Sequence, residues 1–458
     1  MTWLGVTNTP TFHMSSKQLM VHGSITYDPI MTINSPGTLT FTSTNTSFLI
    51  SGGHRIGNVY VDKNGGIFNQ LDNFMSSGYT FEVRAGSIYN SNDYDIYFNT
   101  IRFKGSPTGS TTTTINTGTS TITVKDDGLE IQSQSSYPNI ITNLASSTIY
   151  LDRAYLYGGY YSVDNFGHII TKNMPTWREI GYRVDRIRKL EITQGTSYQN
   201  DYTKIHSYFG DHHNNNLDGG IIDTLIIGKY TRFENNFNTV IGDIEFKGDA
   251  LTAIFGSSGT FTVSNSLTFQ GGNCSVTTLK STSAGNQANI NLLFTNTVTA
   301  TNLSIKDMAF TGSGTLVAQA SVDNGNNSGV IINELNSRDL YWVGGTGNWS
   351  DSSHWSLSNG GSAGNCAPTP NDNVHFTANS FSAANQTVTL DAANAAFINM
   401  DWTGVTNNPT FNMNSKSFEI SGSVSYTTDM TINSPGTSTF ITSSTVSLFS
   451  GGHRIGNV

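Results

Sequence analysis

Cysteine is almost missing from this 458-residue chain: Cys274 and Cys366 are its only two, too few for a disulfide scaffold. They are read as two separate small core side chains in preference to a bridged pair. Charge is scarce as well. Asp, Glu, Lys and Arg together make up 12% of the residues with a net charge of −9, which excludes a basic face for nucleic acid. No apolar run approaches the ~18 residues that a helix needs to span a bilayer, and helical periodicity is almost absent. What is abundant is Gly, Ser, Thr and Asn, the usage of an extracellular structural protein. With 36% hydrophobic residues, including 25 Phe and 19 Tyr, the chain can still bury a core and is not a disordered polar tract.

The opening of the chain returns at its end. Met1 to Val59 aligns with Met400 to Val458 without a gap, and most of the aligned pairs are identical. The longest shared runs are Met31 to Thr38 with Met430 to Thr437, and Ser51 to Val59 with Ser450 to Val458. A lone folded domain has no use for a second copy of its opening segment, so the expectation is one period of a longer tandem array, running from Met1 to the restart at Met400. Met1 pairs with Met400 inside the continuous segment Phe397-Ile-Asn-Met-Asp-Trp402 and is therefore read as an internal residue.

Short stretches alternate apolar and polar residues with period two and break at Gly, Asn, Ser or Asp, which predicts strands joined by turns. Thr121-Ile-Thr-Val124 and Phe261-Thr-Val263 are examples. One signature recurs, apolar-x-apolar-x-Gly, at Ile101 to Gly105, Ile244 to Gly248, Leu267 to Gly271 and Phe418 to Gly422. The spacing from Ile244 to Leu267 is close to one turn of a coil in which each rung adds strands to parallel sheets and Gly permits the corner. The fold class expected is all-β, a parallel β-helix or β-solenoid repeat with irregular insertions. Rungs of ~22 residues would give roughly 18 per period, advancing the axis by about 85 Å.

Two stretches stand apart. From about 58 to 230 the chain is richer in Tyr, Asp, Arg and Lys and the signature thins, so an irregular insertion is expected there. It contains Trp177 to Leu190, whose Arg178, Arg183, Arg186, Arg188 and Lys189 are candidate lateral contacts for acidic surface on a neighbouring subunit, against the plainer reading of a solvated edge. The second stretch opens at Arg338 and crowds Trp342, Trp349 and Trp355 together. It is read as the head of a unit, dividing the chain into 1–340, most of one repeat, and 341–458, the start of the next.

This head carries a resemblance. Tyr341-Trp-Val-Gly-Gly-Thr-Gly-Asn-Trp-Ser350, His354-Trp-Ser356, the Pro-Asn-Asp at 370 to 372, and Asn399-Met-Asp-Trp-Thr-Gly-Val-Thr-Asn-Asn-Pro-Thr-Phe411 resemble modules of giant repetitive surface proteins of Bacteroidota. The match covers roughly the last quarter of the chain. The resemblance implies export by the type IX secretion system and a role in adhesins or cell-surface filaments, grappling-hook-like appendages among them.

Candidate chemistry is thin. His206, Asp211, His212, His213 and Asp218 are the right residue types for Zn or Ni, but adjacent His on a strand face opposite ways, and an exposed Asn/Gly loop is preferred. Asp62 to Gly66 and Asp323 to Gly329 resemble fragments of oxygen-rich calcium loops yet lack a closing Glu, so calcium is an option and no cofactor is required. Asn90 to Asp95 and the pair Asp152 and Arg153 are the only acid-bearing spots of note for glycan chemistry, and no nucleophile elbow, zinc motif or phosphate loop stands out. Trp342, Trp349 and Trp355 could stack on sugar rings; a junction role, with Gly344, Gly345 and Gly347 permitting close approach, is preferred. His54-Arg55 and His453-Arg454 are read as fixing a turn or an inter-subunit contact. The expectation is therefore a non-enzymatic unit of an extracellular filament or adhesin that associates with copies of itself. A carbohydrate-adhesive module without assembly is the main competitor, and a polysaccharide-active enzyme the third reading.

Overall fold

The computed structural model describes residues 1–34, 36–105, 111–132, 140–158, 165–172, 179–182, 186–192, 203–205, 221–228, 231–233, 238–248, 251–270, 276–334, 337–392 and 395–458. It is a parallel β-solenoid of about 16 turns, 55% strand and 1% helix. The chain forms two compact units, Met1–Ile332 and Asn333–Val458, so the second begins a little ahead of Tyr341.

Among the described residues of the first unit, a turn lays down three strand segments, one per face. Ile67–Gln70 gives the first face, and the strand Phe74–Val83 supplies the other two, bending between them. The next turn repeats this with Ile88–Asn90 and Ile96–Lys104, the latter shifting register between Phe98 and Thr100 where it rounds the corner. That shift turns Ile101 and Phe103 inward on the new face, as Ile96 and Phe98 are on the old one. Outward Arg102 and Lys104 complete the apolar-x-apolar-x-Gly signature.

Stacking makes the core. In register, Leu39, Val59, Phe81, Ile101, Leu129 and Leu156 sit one above the other, each contributed by a successive turn. None is more than 1% exposed. Burying each such side chain contributes about 1.5–3 kcal/mol, so one inward position per face per turn suffices while the outer face stays polar.

A second column runs through the described residues of 58–230. Phe74, Ile96, Ile122, Ile149, Ile169, Leu190, Leu225, Ile244 and Leu267 are paired in parallel, in register, without interruption. Through the described residues of 58–230 this inward column persists, while residues such as Tyr97, Arg102, Lys104 and Arg186 alternate outward with it and dilute the period-two signal. Turn length is what varies: the turn from Leu190 to Leu225 is long, and the next, from Leu225 to Ile244, is short. Several turns exceed the expected length, and fewer therefore fit.

The second unit is also three-sided. One column runs Leu340, Val374, Met400, Val424, Leu448. Among the described pairings only that of Tyr341 and Trp342 with Ser356 and Trp355 is antiparallel. The repeated block folds the same way twice. Thr11, Phe12 and His13 pair with Thr32, Ile33 and Asn34, and their counterparts in the second copy, Thr410, Phe411 and Asn412, pair with Thr431, Ile432 and Asn433. Gly57 (φ 77°) and Gly456 (φ 80°) hold the same corner, where a Cβ would fall 2.0 and 2.1 Å from the carbonyl oxygens of Gly37 and Gly436. Only glycine fits that approach.

Candidate functional site

The three head tryptophans are interior. Trp342, Trp349 and Trp355 are 0, 1 and 0% exposed, and their rings pack edge to face, with centroids 5.0 Å apart for Trp342 and Trp355 and 5.1 Å for Trp349 and Trp355. Trp342 Nε1 donates to the Gly345 carbonyl at 2.7 Å and Trp355 Nε1 to the Trp349 carbonyl at 2.8 Å. Their rings are enclosed in the hydrophobic core of the second unit. His354 stacks on Trp342 at 4.6 Å with planes 6° apart and bonds the Val343 carbonyl through Nδ1. A Cβ on Gly347 would come 2.0 Å from His354 Nε2, so the Gly/Trp spacing of the motif is the footprint of this stack.

The Pro-Asn-Asp motif has a use that the sequence hid. Asp372, 0% exposed, receives Arg338 Nε and Nη2 at 2.8 and 2.6 Å and the Thr369 amide at 2.7 Å. It ties the start of the unit to its second turn, across 34 residues.

Of the proposed lateral contacts, Arg178 and Arg183 lie outside the described residues. Arg186, Arg188 and Lys189 lie on the strand Arg186–Ile192, with Arg186 and Arg188 exposed and Ile187 and Leu190 inward. Arg186 forks onto Asp223 of the next turn at 2.7–3.2 Å, and Lys189 reaches Glu191 at 3.5 Å. Those two cations first serve their own solenoid.

Outward polar residues are organised along the axis. Asn69, Asn90, Asn116 and Asn143 form a ladder in which each side-chain amide donates to the one before, at 2.9, 2.8 and 2.6 Å. A neighbouring ladder of charge runs from Asp62 through Arg84 and Glu82 to Lys104, at 3.0, 2.8 and 3.0 Å, beside a cleft of about 390 Å³. Burial by itself would raise the Glu82 carboxyl, but hydrogen bonds and charge from Arg84 and Lys104 outweigh it and hold the group below the usual range. An acid so held is a poor proton donor near neutrality. Arg102 pairs with Glu130 at 3.0 Å, Tyr155 donates to the same carboxylate, and burial followed by that bond pushes the Tyr155 phenol well up. Only rung register brings these groups together; most of the partners lie a full turn apart along the chain, a separation that carries no local signal.

The remaining candidates divide. Asp62 is engaged by Arg84, and Lys63 beside it is buried, with its pKa drawn down by desolvation. In the other calcium-like loop Asp323 Oδ1 accepts from the Gly325 amide at 2.8 Å and Asn327 Nδ2 at 2.6 Å, a turn-closing use. Asp93 and Asp95 accept the backbone amides of Thr119 and Thr121 one turn on, both at 2.7–2.9 Å. Arg153 pairs with Asp126. The His206 to Gly220 cluster lies outside the described residues. His54 Nε2 bonds the Asp28 carbonyl at 2.8 Å and His453 Nε2 that of Thr427 at 2.7 Å, which makes the repeated His a turn-fixing residue in both copies. Arg55 extends to the Ser77 carbonyl at 2.5 Å and lies over Tyr79 at 4.7 Å. The expectation of two separate core cysteines is corrected at Cys366, which is half-buried and disulfide-bonded; Cys274 lies outside the described residues. Outside a core, a thiol gains more from covalent crosslinking than from packing.

The architecture defines a class, the parallel β-solenoids, with side-chain ladders along its faces. Comparison with models of protein families, with curated proteins and with solved structures finds no match to this chain.

Proposed function

We propose that this chain is a structural tandem-repeat unit of a giant extracellular filament or adhesin, exported by the type IX route that its Trp/Gly head suggests, and that its work is mechanical rather than catalytic. The carrying observation is the block that occurs twice, at Met1 to Val59 and at Met400 to Val458, with the same strand pairing and the same histidine-fixed corner. A fold that restarts in this way extends by adding copies. Backbone hydrogen bonds between turns run along the axis, and the Asn and ion-pair ladders add side-chain bonds in the same direction. The outward Thr, Ser and Asn, with little net charge to repel, suit packing against other copies or contact with a target surface.

Electron microscopy of native particles containing this sequence tests the proposal. A long fibre is expected, with an axial period compatible with stacked units that each run from Met1 to the restart at Met400. Isolated ~50 kDa particles would overturn it and turn attention to glycan binding by single modules.

A further inference from the structure

One sequence block is present in two environments, and the difference between them identifies an interface. In the block 400–458 the first turn is covered. Asn373–Thr377 pairs with Met400–Gly404, Thr387–Thr389 with Thr410–Asn412, and Ala395–Phe397 with Ser417–Ile420, one strand on each face. Trp402 is 0% exposed and stacks on Phe376 with centroids 3.6 Å apart and planes 11° apart; Val405 and Phe411 are 5 and 0% exposed. Two polar residues clasp the same cover: Asn407 Nδ2 donates to the Phe381 carbonyl at 2.7 Å, and Lys416 Nζ to the Asp391 carbonyl at 2.7 Å.

In the block 1–59 the same residues are present as Trp3, Val6, Asn8, Phe12 and Lys17. Their internal arrangement is unchanged, since Trp3 and Phe12 lie 5.6 Å apart at 40° and Trp402 and Phe411 5.3 Å apart at 40°. Their exposure is not: Trp3, Val6 and Phe12 are half-buried and Asn8 and Lys17 exposed. A surface that keeps the ring, the amide and the ammonium used by its covered twin retains complementarity to the same cover.

We propose that residues 333–399 are a transferable cap, and that the surface formed by Trp3, Val6, Asn8, Phe12 and Lys17 is the docking site for the 333–399 segment of a second copy of this chain joined ahead of Met1. The inference rests on the tandem-unit reading and names its junction. Val374 of that copy meets Met1 as it meets Met400, Phe376 covers Trp3, and the carbonyls of Phe381 and Asp391 receive Asn8 and Lys17. The head of each unit thus closes the apolar end of the solenoid that follows, leaving no exposed strand ladder for wrong partners.

The test adds residues 333–399 in front of the full chain, so that Asn399 joins Met1 as it joins Met400, and follows amide hydrogen exchange over residues 1–26. Capping is expected to slow exchange there by about tenfold or more. The same fusion carrying Val374→Asp in the added segment, which spoils the strand that meets Met1, is expected to exchange like the unfused chain. Unchanged exchange in the first fusion, whether or not the added segment is itself protected, overturns the inference; equal protection by both fusions overturns it too. Native fibres combined with an unprotected 1–26 would sink the junction and spare the filament reading. Protection without native fibres would do the reverse.

Discussion

Residues 1–59 and 400–458 share a pattern and a set of strand pairings, yet they bury opposite ends of it. Toward the front, Trp402 and Phe411 are enclosed whereas Trp3 and Phe12 are half-buried. Toward the back the order reverses. Phe41, Leu49 and Ile56 are at most 1% exposed beneath the turn that begins at Asn58–Val61, while Phe440, Leu448 and Ile455 are half-buried and Phe449 is 63% exposed. The same side chain is core or surface according to which turn lies next to it. Stability in such a fold belongs to the interfaces between turns as much as to the turns themselves.

The comparison can be broken most forcefully at the shared tryptophan. Trp402→Ala removes a ring sandwiched in the second unit's core and is expected to cost about 3–5 kcal/mol in local opening. Trp3→Ala, at the half-buried position, should cost about 1–2 kcal/mol. Hydrogen exchange of the two blocks within one chain measures both, and equal losses would mean that the front turns are equally covered.

The corner glycines sharpen the back side of the comparison. Gly57→Ala forces a side chain into a left-handed conformation, at a cost of about 1–2 kcal/mol before the clash with the Gly37 carbonyl is counted. Gly57 is also gripped above, with its amide and carbonyl both bonded to Ser76 Oγ at 3.0 and 3.1 Å. Gly456→Ala meets the same clash with the Gly436 carbonyl, without the added grip that Ser76 gives Gly57, and its effect on opening of the block, read by the same exchange experiment, should be the smaller.

The smallest effect is expected at a feature common to both blocks. The hydroxyls of Tyr27 and Tyr426 are buried and without a hydrogen-bond partner, and burial pushes the Tyr27 phenol up to about 12. A phenol whose folded pKa is raised binds its proton more tightly in the fold. Its contribution is complete below the ordinary value of 10.0 and is lost as pH climbs toward 12. Opening of the first block should therefore ease between those pH values, and Tyr27→Phe should flatten the dependence while stabilising by about 1 kcal/mol or less at neutral pH. An unchanged alkaline profile would assign it to other groups.

Much of the fold was legible because it is local. Alternation in Thr121 to Val124, the recurrent Gly after two inward residues and the restart at Met400 are all visible along the chain, and each corresponds to a strand, a corner or a refolded block. Along 58–230 the signature thins for a physical reason: outward positions are free to change composition, so residues such as Tyr97, Arg102 and Tyr150 blur a pattern that the inward Ile96, Ile122 and Ile149 preserve. The site was harder. The Asn ladder, the pairing of Arg338 with Asp372 and the acid-base ladder from Asp62 to Lys104 join residues a whole turn or more apart, and turn length varies too much for spacing to reveal register.

By itself the amino-acid sequence determined that this chain coils as stacked parallel strands and that its opening block begins again at Met400, because inward periodicity and corner glycines act within a few residues of each other. Only the tertiary structure decided which residues face one another across turns, which tryptophans are enclosed, and which end of each block is closed. Those outcomes depend on the turn above and the turn below, and one turn's sequence does not contain its neighbours.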